Sequence, residues 1–245
     1  MSATAGKVSY LSIPYAGAVG SVDAVLLDAG GVLLLPTPDV MLPPLRAAGV
    51  DPTPDVLRRA HYRATAARDA ESGFGWGLYR RTYAESCGVA PDRVEWAAEE
   101  LGRVFDGRTW MQVTPGAVDT LRRIAATGVP MGIVSNSVGT IAEMLHEAGV
   151  CQVGPGPCVE VAVVVDSDLI GIEKPAPGIF QHALKALGVT PERAVHVGDT
   201  ARADVDGARA AGVRPLHLDP YGDCPDPAGD HEHLDSLDEV LEILD

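Results

Sequence analysis

The chain has 245 residues, 46% apolar and 22% charged, and its 19 Lys and Arg against 34 Asp and Glu leave a formal charge of −15. That balance excludes a nucleic-acid-binding domain and attachment to an anionic membrane face, since both require clustered basic side chains. At this length one large α/β domain, or a core carrying a smaller insertion, buries enough apolar surface to need neither disulfides nor a structural metal.

Cys87, Cys151, Cys158 and Cys224 contain no C-x-x-C pair, so neither a disulfide framework nor a zinc knuckle is expected, and a reducing compartment fits. Residues 1–20 lack the apolar run of a signal peptide, and no stretch approaches the ~18 apolar residues of a membrane span. The expectation is a soluble, cytoplasmic protein with residues 1–20 as an N-terminal extension.

Short apolar runs alternate with segments of helical period, the pattern of parallel strands joined by crossover helices. The first run, Ala24 to Leu27, ends at Asp28 and is broken by Gly30 and Gly31. From Pro36 to about Met111 no convincing strand follows. Val56, Leu57, Ala60 and Ala64, and later Val94, Ala97, Ala98 and Leu101, have helical spacing and predict a small helical domain. Thr114 and Pro115 read as the cap and first residue of a helix with Val118, Leu121 and Ala125 inward and Gly128 as its stop. A second strand, Met131 to Val134, closes at Ser135. Ser137 opens a helix facing Ile141, Met144, Leu145 and Ala148 inward before Gly149.

A third strand lies within Val159 to Val165, and Pro175 starts a helix bearing Ile179, Phe180, Ala183, Leu184 and Leu187 before Gly188. Ala194 to Val197 is a fourth strand, closed by Gly198 and Asp199; Pro215 to Leu218 is a fifth, closed by Asp219. Residues 220–230 read as a surface loop. Ser236 and Glu239 have capping-box spacing ahead of an apolar stripe of Leu237, Val240, Leu241 and Leu244. The predicted class is α/β, a Rossmann-like parallel sheet flanked by helices, with residues 21–35 and 112–245 as core and 36–111 as a helical domain. In a parallel sheet the polar residues that close separate strands meet on one edge.

Four motifs close these runs: Asp28-Ala29-Gly30-Gly31-Val32-Leu33, Val134-Ser135-Asn136-Ser137, Lys174-Pro175, and Gly198-Asp199-Thr200 leading to Asp204. In this order, with 107, 39 and 25 residues separating Asp28, Ser135, Lys174 and Asp199, the chain from Val22 to Leu218 resembles the haloacid dehalogenase-like hydrolases. The helical stretch lies where that family carries a C1-type cap.

Three carboxylates, Asp28, Asp199 and Asp204, against the single cation Lys174 call for a hard divalent cation, and Mg²⁺ is the expected cofactor. Its expected ligands are Asp28, the Gly30 carbonyl and Asp199, with Asp204 direct or through water. Asp28 is then placed to act as nucleophile, with Ser135 and Lys174 stabilising the transferred phosphoryl group of a small phosphorylated metabolite. Gly31 and Asn136, beside these catalytic residues, are expected to touch substrate. So are Trp76 and Arg80, in or after the Gly73-Phe74-Gly75-Trp76-Gly77 stretch, although Trp76, Tyr79 and Tyr83 at helical spacing fit better as the helical domain's own core.

The resemblance has gaps. Its phosphatases carry an acid/base Asp two residues after the nucleophile, where this chain has Gly30, and a threonine is usual where Val32 stands. A missing general acid slows the step by ~10² to 10⁴-fold, which favours acyl or aryl phosphates over alkyl ones. A degenerate, ligand- or protein-binding member stays open as an alternative, as does a metal-free 2-haloacid dehalogenase, which the extra acids Asp199 and Asp204 fit poorly. Phosphonoacetaldehyde-hydrolase chemistry, which uses a cap lysine, is excluded by the lack of lysine in residues 36–112, unless Lys7 reaches in. His231 and His233 read as part of a solvated loop, His196 as a packed strand residue, and the four cysteines receive no role. A homodimer is left open.

Overall fold

In a computed structural model of the chain, the residues described are 21–70, 75–106, 109–226 and 229–244. The expected extension at 1–20, together with Gly73 and Phe74, lies outside them. The described residues begin with strands β1 (Ala24–Leu27) and β2 (Leu34–Leu35), then helices α1 (Pro38–Ala47), α2 (Pro54–Ala70), α3 (Trp76–Ser86) and α4 (Val94–Val104). It returns through β3 (Gln112–Val113), α5 (Ala117–Thr127), β4 (Met131–Ser135), α6 (Ile141–Glu147), β5 (Cys151–Val153) and β6 (Val159–Val161). Next come β7 (Val163–Asp166), α7 (Ser167–Ile170), α8 (Pro177–Leu187) and β8 (Ala194–Gly198). A π-helical turn (Ala201–Asp206), α9 (Gly207–Ala210), β9 (Arg214–Leu218), β10 (Glu232–Leu234) and a 3₁₀ segment (Leu237–Ile243) complete it.

Six strands form a parallel sheet in the order β10-β9-β8-β1-β4-β7. β1 lies inside it and is wholly buried, which is why Ala24-Val25-Leu26-Leu27 is an unbroken apolar run without alternation. Ala24 and Leu26 face Phe180, Ala183 and Leu184 of α8, while Val25 and Leu27 pack on the opposite side with Leu121 and Ile124 of α5. The chain leaves β1 toward β4 and β7 on one side and returns to β8 and β9 on the other. That reversal opens a crevice at the carboxyl end of β1.

The four helices α1 to α4 sit between β2 and β3, which pair antiparallel through Leu34 with Val113 and Leu35 with Gln112. They share an apolar centre that includes Met41, Leu45, Leu57, Ala60, Tyr79, Tyr83 and Leu101. Val56, expected on that inner face, is instead exposed. Trp110 packs against both this centre and the core around the sheet.

Several boundaries differ from the sequence reading. The run from Val159 to Val165 bends at Ala162, so β6 pairs with β5 in a separate ladder and only β7 joins the main sheet. α5 starts three residues after Thr114, behind Gly116 in the left-handed region, rather than at Pro115. α6 starts at Ile141, not after Ser137, because Asp166 from β7 accepts from the amides of Gly139 (3.1 Å) and Ile141 (3.3 Å) and holds the intervening turn. α8 starts at Pro177 because Ala176, preceding a proline, is extended. At Ser236 the hydroxyl donates to the Glu239 carboxylate (3.3 Å) instead of capping an amide, and the segment is 3₁₀.

Candidate active centre

β1, β4 and β8 end side by side, so Asp28, Ser135 and Asp199, far apart in sequence, close one edge of the sheet. All three are buried, with Lys174 and Asp204 beside them. Oxygens of Asp28, Asp199 and Asp204 lie within 4.8 Å of one another. The Lys174 ammonium spans two of them, 2.9 Å from Asp28 Oδ1 and 2.7 Å from Asp204 Oδ1. Asp28 Oδ1 also accepts from the Ala29 amide at 2.7 Å.

The electrostatics divide these acids. Burial pushes the Asp28 carboxyl up to about 7; Lys174 opposes this, and Asp204 and Asp199 add to it. Burial would also raise Asp204, but Lys174 and His196 overcome it and hold its carboxyl well below the usual range. Burial works against the Lys174 charge too, and Asp204 and Asp28 together raise its pKa nonetheless. One ammonium thus leaves Asp28 short of compensating positive charge.

The side chains take up their places unevenly relative to expectation. Asp204 has its acceptor directions filled, Oδ1 by Lys174 and His196 Nε2 (2.8 Å) and Oδ2 by the Thr200 amide (3.2 Å) and hydroxyl. It holds Lys174 and the turn after Asp199, and one of its oxygens also belongs to the carboxylate group with Asp28 and Asp199 that could hold a metal ion. Asn136, expected on substrate, is committed at both ends of its amide: Oδ1 accepts from the Lys174 amide (2.7 Å) and Nδ2 donates to the Lys174 carbonyl (3.0 Å). The Gly31 peptide is likewise occupied, its N–H on the Leu34 carbonyl (2.8 Å) and its carbonyl accepting from the Tyr62 hydroxyl (2.7 Å). Gly30 makes an isolated bridge with Leu34.

Trp76 packs edge-on against Tyr79 and Trp110, with the Arg68 guanidinium 4.7 Å above its ring, and is 44% exposed. Tyr79 and Tyr83 are buried in the insertion. The Arg80 guanidinium lies against Gly102 of α4. His196 is fully buried on β8 and hydrogen-bonded to Asp204, as a packed strand residue should be.

Sequence reasoning missed the polar face of α2. His61 Nδ1 meets the Tyr79 hydroxyl at 2.9 Å while its Nε2 lies 3.1 Å from Asp199 Oδ2. Tyr62 reaches Gly31, Asp69 accepts from the Ala201 amide (2.6 Å), and Arg58 donates to the Tyr221 hydroxyl (2.9 Å). Residues 58, 61, 62 and 69 share one helical stripe, and that polar periodicity was the available signal. A second group also departs from expectation. His231 and His233 are drawn out of the loop into contact with His217 and Cys224, because β10 pairs with β9 and brings 231–234 beside 216–218.

A parallel sheet with an acid-and-lysine cluster at the carboxyl end of its inner strand is the arrangement of an α/β enzyme site. Residues 22–212 match the family model for haloacid dehalogenase-like hydrolases. The chain belongs to that family and is a hydrolase.

Its relatives include the haloacid dehalogenase-like hydrolase domain-containing protein 3 of Homo sapiens, 30% identical over 82% of this chain and 83% of that one. The phosphoserine phosphatase of Thermus thermophilus is 36% identical over 55% of this chain, a match spanning about half (51%) of that enzyme's length. The fold is shared with a phosphatase of the family from Thermococcus onnurineus (TM-score 0.58, 24% identity, 91% of this chain and 98% of that one). It is shared also with the magnesium-bound YfnB of Bacillus subtilis (TM-score 0.61, 17% identity, 92% and 100%). No helix among the described residues is long and apolar enough to cross a membrane.

Proposed function

We propose that the chain is a Mg²⁺-dependent phosphatase acting on a small phosphorylated metabolite through an aspartyl phosphate at Asp28. The observation that carries this reading is the buried pairing of Asp28 with Lys174 beside Asp199, in which burial, with Asp204 and Asp199 adding to it, pushes the Asp28 carboxyl up to about 7. The donor set suits Mg²⁺, since it offers hard carboxylate oxygens in a site with excess negative charge. Asp28, Asp199 and the Gly30 carbonyl would hold the ion, with Asp204 steering from behind through Lys174. Bound there, Mg²⁺ neutralises the acids and draws charge from the phosphoryl oxygens.

An Asp28 oxygen attacks phosphorus as the bond to the leaving oxygen breaks, and water then cleaves the acyl phosphate to restore the carboxylate. Lys174 holds a non-bridging oxygen while Asp204 and Asn136 keep the lysine in place. Ser135, at the end of β4, takes another oxygen. The four-helix insertion serves as the cap, and α2 covers the centre through His61 and Tyr62.

Gly30 supplies no proton to the departing oxygen, so acyl and aryl phosphates should turn over faster than alkyl phosphates. The same gap favours a second reading, a member that binds a phosphorylated ligand without turning it over. Phosphate release measured with Mg²⁺ on acetyl, aryl and sugar phosphates, beside a 2-haloacid, tests both. Steady release that Asp28→Asn and chelation each abolish is the expected result. No release above the Asp28→Asn background favours the binding reading, and halide release without metal replaces the phosphatase one.

A further inference from the structure

At the opposite flank of the sheet from β7, four side chains of the soft-to-borderline ligand types converge. His217 stands on β9, His233 on β10, and Cys224 and His231 on the chain between them. One ligand atom from each lies within 4.8 Å of all the others. His217 Nδ1 is 3.2 Å from His231 Nε2, and Cys224 Sγ is 3.6 Å from that same nitrogen. The His233 ring stacks on His231 with centroids 4.6 Å apart, and its Nε2 is buried without a hydrogen-bond partner among the described residues.

These separations have a geometric meaning. Nitrogens about 2.05 Å and a sulfur about 2.3 Å from a common tetrahedral centre stand about 3.3 Å apart for N···N and about 3.6 Å for S···N. The two distances available, 3.2 and 3.6 Å, are edges of such a tetrahedron.

The outer partners fit as well. His217 has its other nitrogen 3.3 Å from the Asp199 carbonyl, and His233 Nδ1 is 3.4 Å from Asp219 Oδ2. Asp219 also accepts from the amides of Cys224 (3.1 Å) and Asp223 (2.9 Å). A carboxylate or carbonyl on the far nitrogen is the arrangement that orients a metal-binding imidazole.

We infer that His217, Cys224, His231 and His233 form a structural site for one Zn²⁺, separate from the carboxylate centre at Asp28. Four protein ligands leave no open position, which is the mark of a structural rather than a catalytic zinc. The ion ties β9 to β10 and fixes the connecting loop. That loop carries Tyr221 to its contacts with Arg58 and Tyr62 of α2. Through the Asp199 carbonyl, His217 also braces the strand end that bears the acid.

The test uses untagged full-length protein, so that no added histidines bind metal. After dialysis against Zn²⁺ and then metal-free buffer, elemental analysis should find about one zinc per chain. Cys224→Ser and His231→Ala should reduce it to background, while Asp28→Asn keeps it. Co²⁺ in place of zinc should give an intense tetrahedral visible spectrum with a thiolate charge-transfer band that Cys224→Ser removes. Asp219→Asn, which leaves all four ligands, should weaken zinc binding by about 10- to 100-fold. Zinc content below a tenth of an equivalent in the wild type, or equal content in the wild type and Cys224→Ser, overturns the site. So does zinc lost with Asp28→Asn, or a weak octahedral cobalt spectrum.

Discussion

Gly30 stands where a catalytic carboxylate is absent, and the space around it is open enough to restore one. A Cβ at Gly30 would meet nothing closer than the Trp110 ring at 3.8 Å, and the backbone there does not need positive φ. Gly30→Asp is therefore expected to fold normally and to raise turnover of an alkyl phosphate by about 10² to 10⁴-fold. Steady-state rates on a sugar phosphate decide it, and an unchanged rate means the missing acid does not limit the reaction. Its neighbour behaves in the opposite way. Gly31 has φ +75°, and a Cβ there would fall on the Asp199 carboxylate. Gly31→Ala should lose at least about 1–2 kcal/mol of stability to the left-handed backbone alone and most of its activity through displaced Asp199. Gly30→Ala, the matched control, should change stability little; denaturant titration of the pair separates the two effects.

At the scale of elements, α2 carries the link between the insertion and the sheet. Its inner stripe of Leu57, Ala60 and Ala64 was plain in the sequence because apolar spacing of three and four has few other meanings. The adjoining stripe of Arg58, His61, Tyr62 and Asp69 was not, because polar residues on a helix ordinarily face water. Only the sheet edge beneath them makes them partners. Tyr62→Phe removes the hydroxyl that serves the buried Gly31 carbonyl, and a buried acceptor left unpaired costs about 1–3 kcal/mol. Thermal or denaturant unfolding should show that loss with the loop after Asp28 loosened, seen as faster hydrogen exchange at residues 30–34. Full stability in the variant removes the clamp from the account. The helices begin later than Thr114, Ser137 and Pro175 suggest, because a left-handed Gly116 precedes α5, Asp166 of β7 holds the turn before α6, and Ala176 is extended ahead of Pro177.

The whole molecule depends on the buried sheet. Leu26 lies on its inner strand at zero exposure against Phe180, Ala183 and Leu184, with β4 and β8 on either side. Leu26→Ala should cost about 2–5 kcal/mol, as a cavity there cannot collapse between two paired strands. A lower denaturant midpoint at unchanged slope is the expected result; a cost below about 1 kcal/mol would mean that the helices repack into the space.

The sequence by itself determined the parallel α/β sheet, the order of its motifs, the residues Asp28, Ser135 and Asp199 at its strand ends, and Lys174 ahead of α8. These are legible because strand burial and strand ends are local patterns repeated along the chain. Tertiary structure alone decided which polar atoms remain free. It occupied Asn136, Gly31 and Asp204 with internal hydrogen bonds, brought His61 onto Asp199, and gathered His217, Cys224, His231 and His233 beside β9. Hydrogen bonds and ligand sets join residues distant in sequence, and their geometry exists only once the strands have paired.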